Sequence, residues 1–231
     1  MKSVLITGAN RGIGLKFVDY YCQQNWQVYA TYRDEHHALL EKTTQYNHLT
    51  LLKVDVSEPS SINKLKQSMT GITLNLLINN AGVHGSKEHQ LGQTSSSDIA
   101  LWQQVFAINT ISPLLVTEAM SKNLQFGTPS KVAFISSKMG SISDNNSGGS
   151  YIYRSSKTAL NAIVKSLSVD FKKFGITVVA LHPGWVKTRM GGENALIDTK
   201  TSIEGMAQVI DNLSPQASGE FINYNGQPLS W

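Results

Sequence analysis

The chain is predicted to fold as one α/β domain, a doubly wound parallel sheet of about seven strands with helices on both faces. Three observations predict it. Short apolar, often β-branched runs alternate with longer amphipathic ones along the whole sequence. Most of the short runs are continuously apolar rather than alternating, the pattern of strands covered on both faces. No linker, low-complexity tract or internal repeat divides the 231 residues, a length that a single α/β domain commonly reaches. Right-handed crossovers join strands of this kind, and ligands bind at their carboxyl ends.

In chain order, strands are predicted at residues 4–7, 27–32, 49–54, 74–78, 131–136, 176–181 and 219–222, and helices near 12–25, 58–69, 98–124, 152–174 and 201–213. The first strand, Val4-Leu5-Ile6-Thr7, stops at Gly8, and Gly12 and Gly14 open the first helix. The run at 131–136 ends on two serines, Ser136 and Ser137. A polar, glycine-bearing stretch, Ser143 to Ser150, follows and is expected to be a mobile loop. Helices 98–124 and 152–174 are long and rich in Ala, Leu, Ile and Val.

Composition narrows the function classes. Hydrophobic residues make up 41% and charged residues 16%, as in a globular protein with a real core. The net charge of +4 is spread over scattered lysines and arginines, with no like-charge run or basic helix to meet nucleic acid or a membrane surface. Cys22 is the single cysteine, so no intrachain disulfide forms and a reducing compartment is expected; in the first helix it reads as a small buried apolar residue. Met1-Lys2-Ser3 leads straight into a short strand, without the apolar region of a signal peptide. No apolar run of the ~20 residues that a membrane helix requires is read in the sequence. A cytoplasmic enzyme is the expectation. The six histidines show no metal-ligand spacing, so no metal site is expected.

The segment Thr7-Gly8-Ala9-Asn10-Arg11-Gly12-Ile13-Gly14 has the chemistry of a phosphate cradle. Glycines take the tight turn, and backbone N–H groups at the helix N-terminus then face the pyrophosphate of a dinucleotide. Further along, Tyr153-Arg154-Ser155-Ser156-Lys157 sets a phenol and an ammonium four residues apart, on one face of a helix. A free tyrosine titrates near ~10. A neighbouring ammonium, with the positive nicotinamide of an oxidised cofactor, favours the phenolate and lowers that value. A carbonyl substrate also needs a donor on its oxygen, and Ser136 and Ser137 are both available. Together these segments point to hydride transfer between a nicotinamide dinucleotide and a carbonyl or alcohol.

The glycine spacing resembles that of the short-chain dehydrogenase/reductase superfamily, and further segments extend the resemblance from Val4 to the C-terminus. It implies a Rossmann-type fold. Gly8, Asn10, Arg11, Gly12, Ile13 and Gly14 then form the cofactor loop. Asp55 and Val56, in Val54-Asp55-Val56, match the adenine-contacting segment. Asn80, Ala81 and Gly82 match the family's Asn-Asn-Ala-Gly segment beside the cofactor. Pro183, Gly184, Val186 and Thr188 match its Pro-Gly-x-Val-x-Thr stretch beside the nicotinamide amide. The family's Ser-x-x-Gly pattern selects Ser137 over Ser136, and Asn109, in Ala107-Ile108-Asn109-Thr110, falls where the family carries its fourth catalytic residue. The implied catalytic set is Asn109, Ser137, Tyr153 and Lys157. Tyr153 supplies the proton, Lys157 keeps the phenol acidic and contacts the cofactor ribose, and Asn109 holds a water that links Lys157 to solvent.

The gap between Ser137 and Tyr153 is longer than the family's usual spacing, a difference that the polar loop absorbs. Arg33, at the end of the second strand, and Arg11 accompany NADP in this family, so NADP(H) is the preferred cofactor. Asp34 and Glu35 follow directly, and a strand ending one or two residues later makes them ribose ligands of NAD(H), the alternative. After Pro183 a brief lid spans residues 189–199 with Gly191-Gly192 as its hinge, and Trp185, His84 and Met190 either face the substrate or pack. The segments 139–145, 153–161 and 218–231 are similar to those of the C-factor and sniffer-type carbonyl reductase branch. That branch implies NADPH-linked reduction of carbonyl compounds, or a signalling protein in which catalysis is incidental. In the family the two long helices build a dimer seam, so a homodimer stands beside simple packing on the sheet.

Overall fold

The computed structural model describes residues 1–34, 36–85, 91 and 95–231, the side chains of Ser96 and Ser97 aside. Seven parallel strands form one sheet: β1 (Ser3–Ile6), β2 (Gln27–Tyr32), β3 (Leu49–Lys53), β4 (Leu76–Asn79), β5 (Lys131–Ile135), β6 (Thr177–His182) and β7 (Glu220–Asn223). Their order is β3-β2-β1-β4-β5-β6-β7, every neighbouring pair parallel, so the winding reverses between β1 and β4. This is the doubly wound Rossmann-type sheet, and the reversal opens a crevice at the carboxyl ends of β1 and β4.

Alternate residues of each strand serve opposite layers. Val4 and Ile6 of β1 join the core beneath α1 (Gly12–Gln23) and α8 (Thr199–Asn212). Leu5 joins the other core, beneath α3 (Pro59–Ser68) and α7 (Tyr151–Asp170). Cys22 is buried with its thiol free, within the first of these cores. All four residues of β1 and of β4 are buried, which explains why their runs are continuously apolar.

Two helical predictions need correction. The sequence reading has no helix near 37–43, where α2 (His37–Thr43) forms; it buries only Leu39, so it carries no apolar period to read. The helix predicted at 98–124 is instead α4 (Ser96–Phe106), a π-helical turn (Ala107–Ile111), α5 (Ser112–Ala119) and α6 (Ser121–Phe126), broken at Met120. The helical span Asp98–Ala119 has the length and composition to cross a membrane, contrary to the reading that no such run exists. Scattered polar residues hide the run in the sequence. In the fold they turn inward: Asn109, Thr110, Ser112 and Thr117 are all buried and hydrogen-bonded.

Candidate active site

The crevice is held open by glycines and stitched by one asparagine. Gly8 turns with φ +62°, and a Cβ there would lie 2.8 Å from Ala81 Cα. A Cβ at Gly14 would collide with the Gly8 carbonyl. Asn80 joins the two strands at the reversal, its Nδ2 donating to the carbonyls of Thr7 and Gly8 (2.9 Å each). In return the Thr7 hydroxyl accepts from the backbone N–H of Asn80 (3.0 Å) and Ala81 (3.1 Å). The backbone thus passes close under the N-terminus of α1, whose dipole and N–H groups suit an anion.

A cleft of about 710 Å³ runs from this point across the carboxyl edge of the sheet. Asp55 and Val56 line it after β3, Arg33 after β2, and Gly8, Asn10, Arg11, Gly12, Ile13 and Gly14 after β1. Asn80, Ala81 and Gly82 follow after β4, and Pro183 and Thr188 after β6, with Tyr153 and Lys157 of α7 at the same end. Asp55 is braced by Ser57, whose N–H (2.9 Å) and hydroxyl (2.6 Å) both donate to its Oδ1. Arg33 and Asp34, the two sides of the cofactor question, are paired with each other: Arg33 Nε donates to Asp34 Oδ2 at 2.7 Å. Glu35 lies outside the described residues.

Gly184 and Val186, predicted to contact the cofactor, do not line the cleft. Gly184 turns with φ +82° against Ile197 and Tyr224, and Val186 is buried in a bridge to Ile197. Both shape the turn that carries Thr188 across Gly12. Gly191 is packed rather than free to act as a hinge, because a Cβ there would strike the Val186 carbonyl and its own carbonyl accepts from Trp185 Nε1 (2.8 Å).

At the reacting end, Ser137 caps a 3-10 turn (Lys138–Gly140), and Gly140 presses that turn against α7: a Cβ on it would lie 2.8 Å from the Lys157 backbone. Thr158 Oγ1 (2.9 Å) and Asn161 Nδ2 (3.2 Å) donate to the Gly140 carbonyl. Ser137 is thereby brought beside the Tyr153 phenol, a polar neighbour that favours the phenolate. Ser136 is occupied elsewhere, its hydroxyl donating to Asn161 Oδ1 at 2.6 Å. Lys157 is buried, and its Nζ donates to the Ile135 carbonyl (2.9 Å) and stands 5.8 Å from the Tyr153 ring centroid. Asn109, wholly buried in the π turn, donates from Nδ2 to Val83 O (2.8 Å) and Ser156 Oγ (3.1 Å) and accepts the Val83 N–H (2.9 Å).

Electrostatics revise the expected acidic phenol. Burial pushes Tyr153 up to about 12, outweighing the opposite influence of Ser137, and burial lowers Lys157 to about 8.

The family profile of the short chain dehydrogenases matches residues 2–196. This chain belongs to that family. The short-chain dehydrogenase is 45% identical over 158 residues to the C-signal protein of Myxococcus xanthus, covering 68% of this chain and 93% of that one. Its fold is similar to that of the carbonyl reductase Sniffer of D. melanogaster, with a TM-score of 0.91, 35% identity and 100% of both chains covered. It is equally similar to an NADPH-bound carbonyl reductase from chicken fatty liver, with a TM-score of 0.90, 35% identity and coverage of 100% and 99%.

Several residues of this short-chain dehydrogenase that shape the site escape a motif reading. Lys187, at an unspecified position of the matched Pro-Gly-x-Val-x-Thr stretch, and Arg189, just beyond it, add positive charge to the cleft without a signature of their own. Thr158 and Asn161 build the floor under Ser137. Asn161 sits four residues after Lys157, on the face that Tyr153 already marks, so helical period could have found it. Arg154 fastens the polar loop expected to be mobile, donating to Met139 O (3.3 Å), Gly148 O (3.2 Å) and Ser147 Oγ (2.7 Å).

Proposed function

We propose that this short-chain dehydrogenase is an NADP(H)-dependent carbonyl reductase acting on a small or medium ketone, aldehyde or secondary alcohol. The observation that carries this reading is the meeting of Ser137, Tyr153 and Lys157 at one end of a cleft that begins in a glycine turn. The cleft fits a dinucleotide: a Cβ at Gly8 or Gly14 would fill the turn, and Arg11, Arg33, Lys187 and Arg189 give the lining a positive charge suited to phosphates. The same charge, and the resemblance to an NADPH-bound carbonyl reductase, support NADP(H) over NAD(H).

When bound, NADPH supplies the hydride that reduces the carbonyl carbon. The residues manage the oxygen and its proton. Tyr153, held protonated through the neutral range, donates its phenolic proton to the carbonyl oxygen, and Ser137 donates a hydrogen bond to the same oxygen. Lys157, with its value lowered to about 8, is chiefly ammonium at pH 7 and supplies the positive charge beside the departing proton. A Cβ at Gly82 would lie 3.3 Å from Asn109 Oδ1 and 3.7 Å from Lys157 Nζ, so both groups face the bare backbone of Gly82. That shared neighbour supports a proton path from Lys157 past Asn109. Because the Asn109 amide is engaged with Val83 and Ser156, the path uses the spare lone pair on Oδ1 or the Asn109 backbone carbonyl.

The test is NADPH-linked turnover of benzaldehyde, acetophenone and phenanthrenequinone. Tyr153→Phe is expected to lower kcat by about 10²–10⁴-fold and to leave NADPH binding within about twofold. Equal loss of turnover and binding counts against the role given to the phenol. A dinucleotide sensor of C-factor type needs the cradle but not Ser137, Tyr153 and Lys157 together, and absence of turnover across the panel would favour it.

The finer setting is also proposed. The lone buried thiol of Cys22 suits the reducing cytoplasm. Exposed Ile99 and Ile111 on the 96–119 span, with Tyr151 and Val169 on α7, support a homodimer through these helices, and neither a membrane nor nucleic acid enters the chemistry. Sedimentation equilibrium at micromolar concentration is expected to give twice the chain mass; a monomer there overturns the dimer.

A further inference from the structure

His84 has no part in the chemistry above, yet its ring lies flat against that of Tyr153. The two rings are 4.5 Å apart at the centroids and within 20° of parallel. A buried side chain, Asn109, holds the chain leading to His84. Asn109 takes both backbone groups of Val83, accepting its N–H at 2.9 Å and donating to its carbonyl at 2.8 Å. Asn109 also donates to Ser156 Oγ at 3.1 Å, and Ser156 Oγ donates to the Tyr153 carbonyl at 2.8 Å. The contacts therefore close a ring: from the backbone of Tyr153 through Ser156, Asn109 and Val83 to His84, and from His84 back onto the phenol.

A tyrosine half-buried at a cleft wall has more than one staggered rotamer open to it, and a flat neighbour narrows that choice. Parallel stacking supplies that surface, and the Asn109 clamp fixes the height and tilt of the imidazole that provides it. We propose that His84 is a positioning residue that holds the Tyr153 ring in the rotamer facing Ser137, and that Asn109 sets the imidazole through Val83. The proposal rests on the reading of Tyr153 as the proton donor. It gives Asn109 a geometric task beside its place on a proton path. It also predicts where loss of His84 is felt: in the chemical step, because a misaligned phenol lowers turnover while the dinucleotide cleft keeps its lining.

The test compares His84→Ala, His84→Leu and His84→Phe in the full chain, with phenanthrenequinone as substrate and Tyr153→Phe as control. His84→Ala and His84→Leu are expected to lower kcat roughly tenfold, with substrate KM and NADPH Kd within about twofold of the parent. His84→Phe, which keeps a flat ring on the phenol, is expected to recover kcat to within about threefold of the parent. The Leu and Phe variants fill similar space, so their comparison stands even where the alanine variant does not fold. Unchanged kcat in His84→Leu, equal loss in His84→Leu and His84→Phe, or a loss confined to KM each overturns the proposal. Full turnover by Tyr153→Phe would instead overturn the reading on which it rests.

Discussion

Lys157 is under two opposing demands. Its ammonium is wanted beside the phenol, yet it is buried, with its Nζ hydrogen-bonded to the Ile135 carbonyl. Burial lowers it from 10.5 to about 8, which is the cost of keeping a charge there. The consequence for stability has a definite sign. Between pH 8 and 10.5 the folded chain has released this proton while the unfolded chain still holds it, so the contribution of Lys157 to stability rises with pH across that window. Lys157→Met is expected to lower turnover by about 10²-fold or more. It is also expected to lose the window: in urea unfolding at pH 7.5 and pH 10, the stability of the parent relative to the variant should rise by on the order of 2 kcal/mol. A constant difference would mean that the ammonium is not desolvated. Motif reading names Lys157 and Tyr153 but cannot order their pKa values, because spacing shows proximity and says nothing of solvent exclusion.

Elements place these groups by how they start and where they deform. α1 begins where Gly14 packs on the Gly8 carbonyl, and a Cβ added to Gly14 would lie 2.6 Å from Asn80 Nδ2. Gly14→Ala therefore forces apart the turn that joins β1 to β4. The expected result is a loss of about 1–3 kcal/mol in urea unfolding, with NADPH affinity reduced at least about tenfold. Parent-like binding in this variant would show that the turn is looser than its contacts imply. The π turn at Ala107–Ile111 has a comparable role, since it sits where Asn109 faces Val83 and Ser156. A widened helical turn has no signature in apolar period, which explains why residues 98–124 read as one straight helix. α7, with Tyr153, Lys157 and Asn161 on one face, is legible at its start to within one residue, whereas the expected end at 174 takes in the separate 3-10 turn Lys172–Phe174 that follows Asp170.

The cleft draws its lining from loops after β3, β2, β1, β4 and β6 and from α7, so a ligand in it ties both halves of the sheet together. NADPH at about a hundred times its Kd is expected to stabilise the folded chain by about 2.7 kcal/mol and to raise Tm by about 5–10 °C. NADH at the same concentration is expected to raise it less. Arg33→Ala, which releases Asp34 from its 2.7 Å pair, is expected to narrow the difference between the two cofactors. Equal shifts in the parent would place cofactor choice elsewhere than at Arg33 and Arg11.

Sequence alone determined the sheet, because strands buried on both faces must be continuously apolar, and it determined the cradle and the Tyr153–Lys157 pair, because both are local in the chain. Only the tertiary structure decided that the Arg33 and Asp34 side chains turn toward each other, that Gly184 and Val186 shape a turn against Ile197 without lining the cleft, and that His84 lies on Tyr153. The first depends on rotamers that spacing does not fix. The other two join segments whose separation along the chain carries no information about their distance in space, and only packing sets that distance.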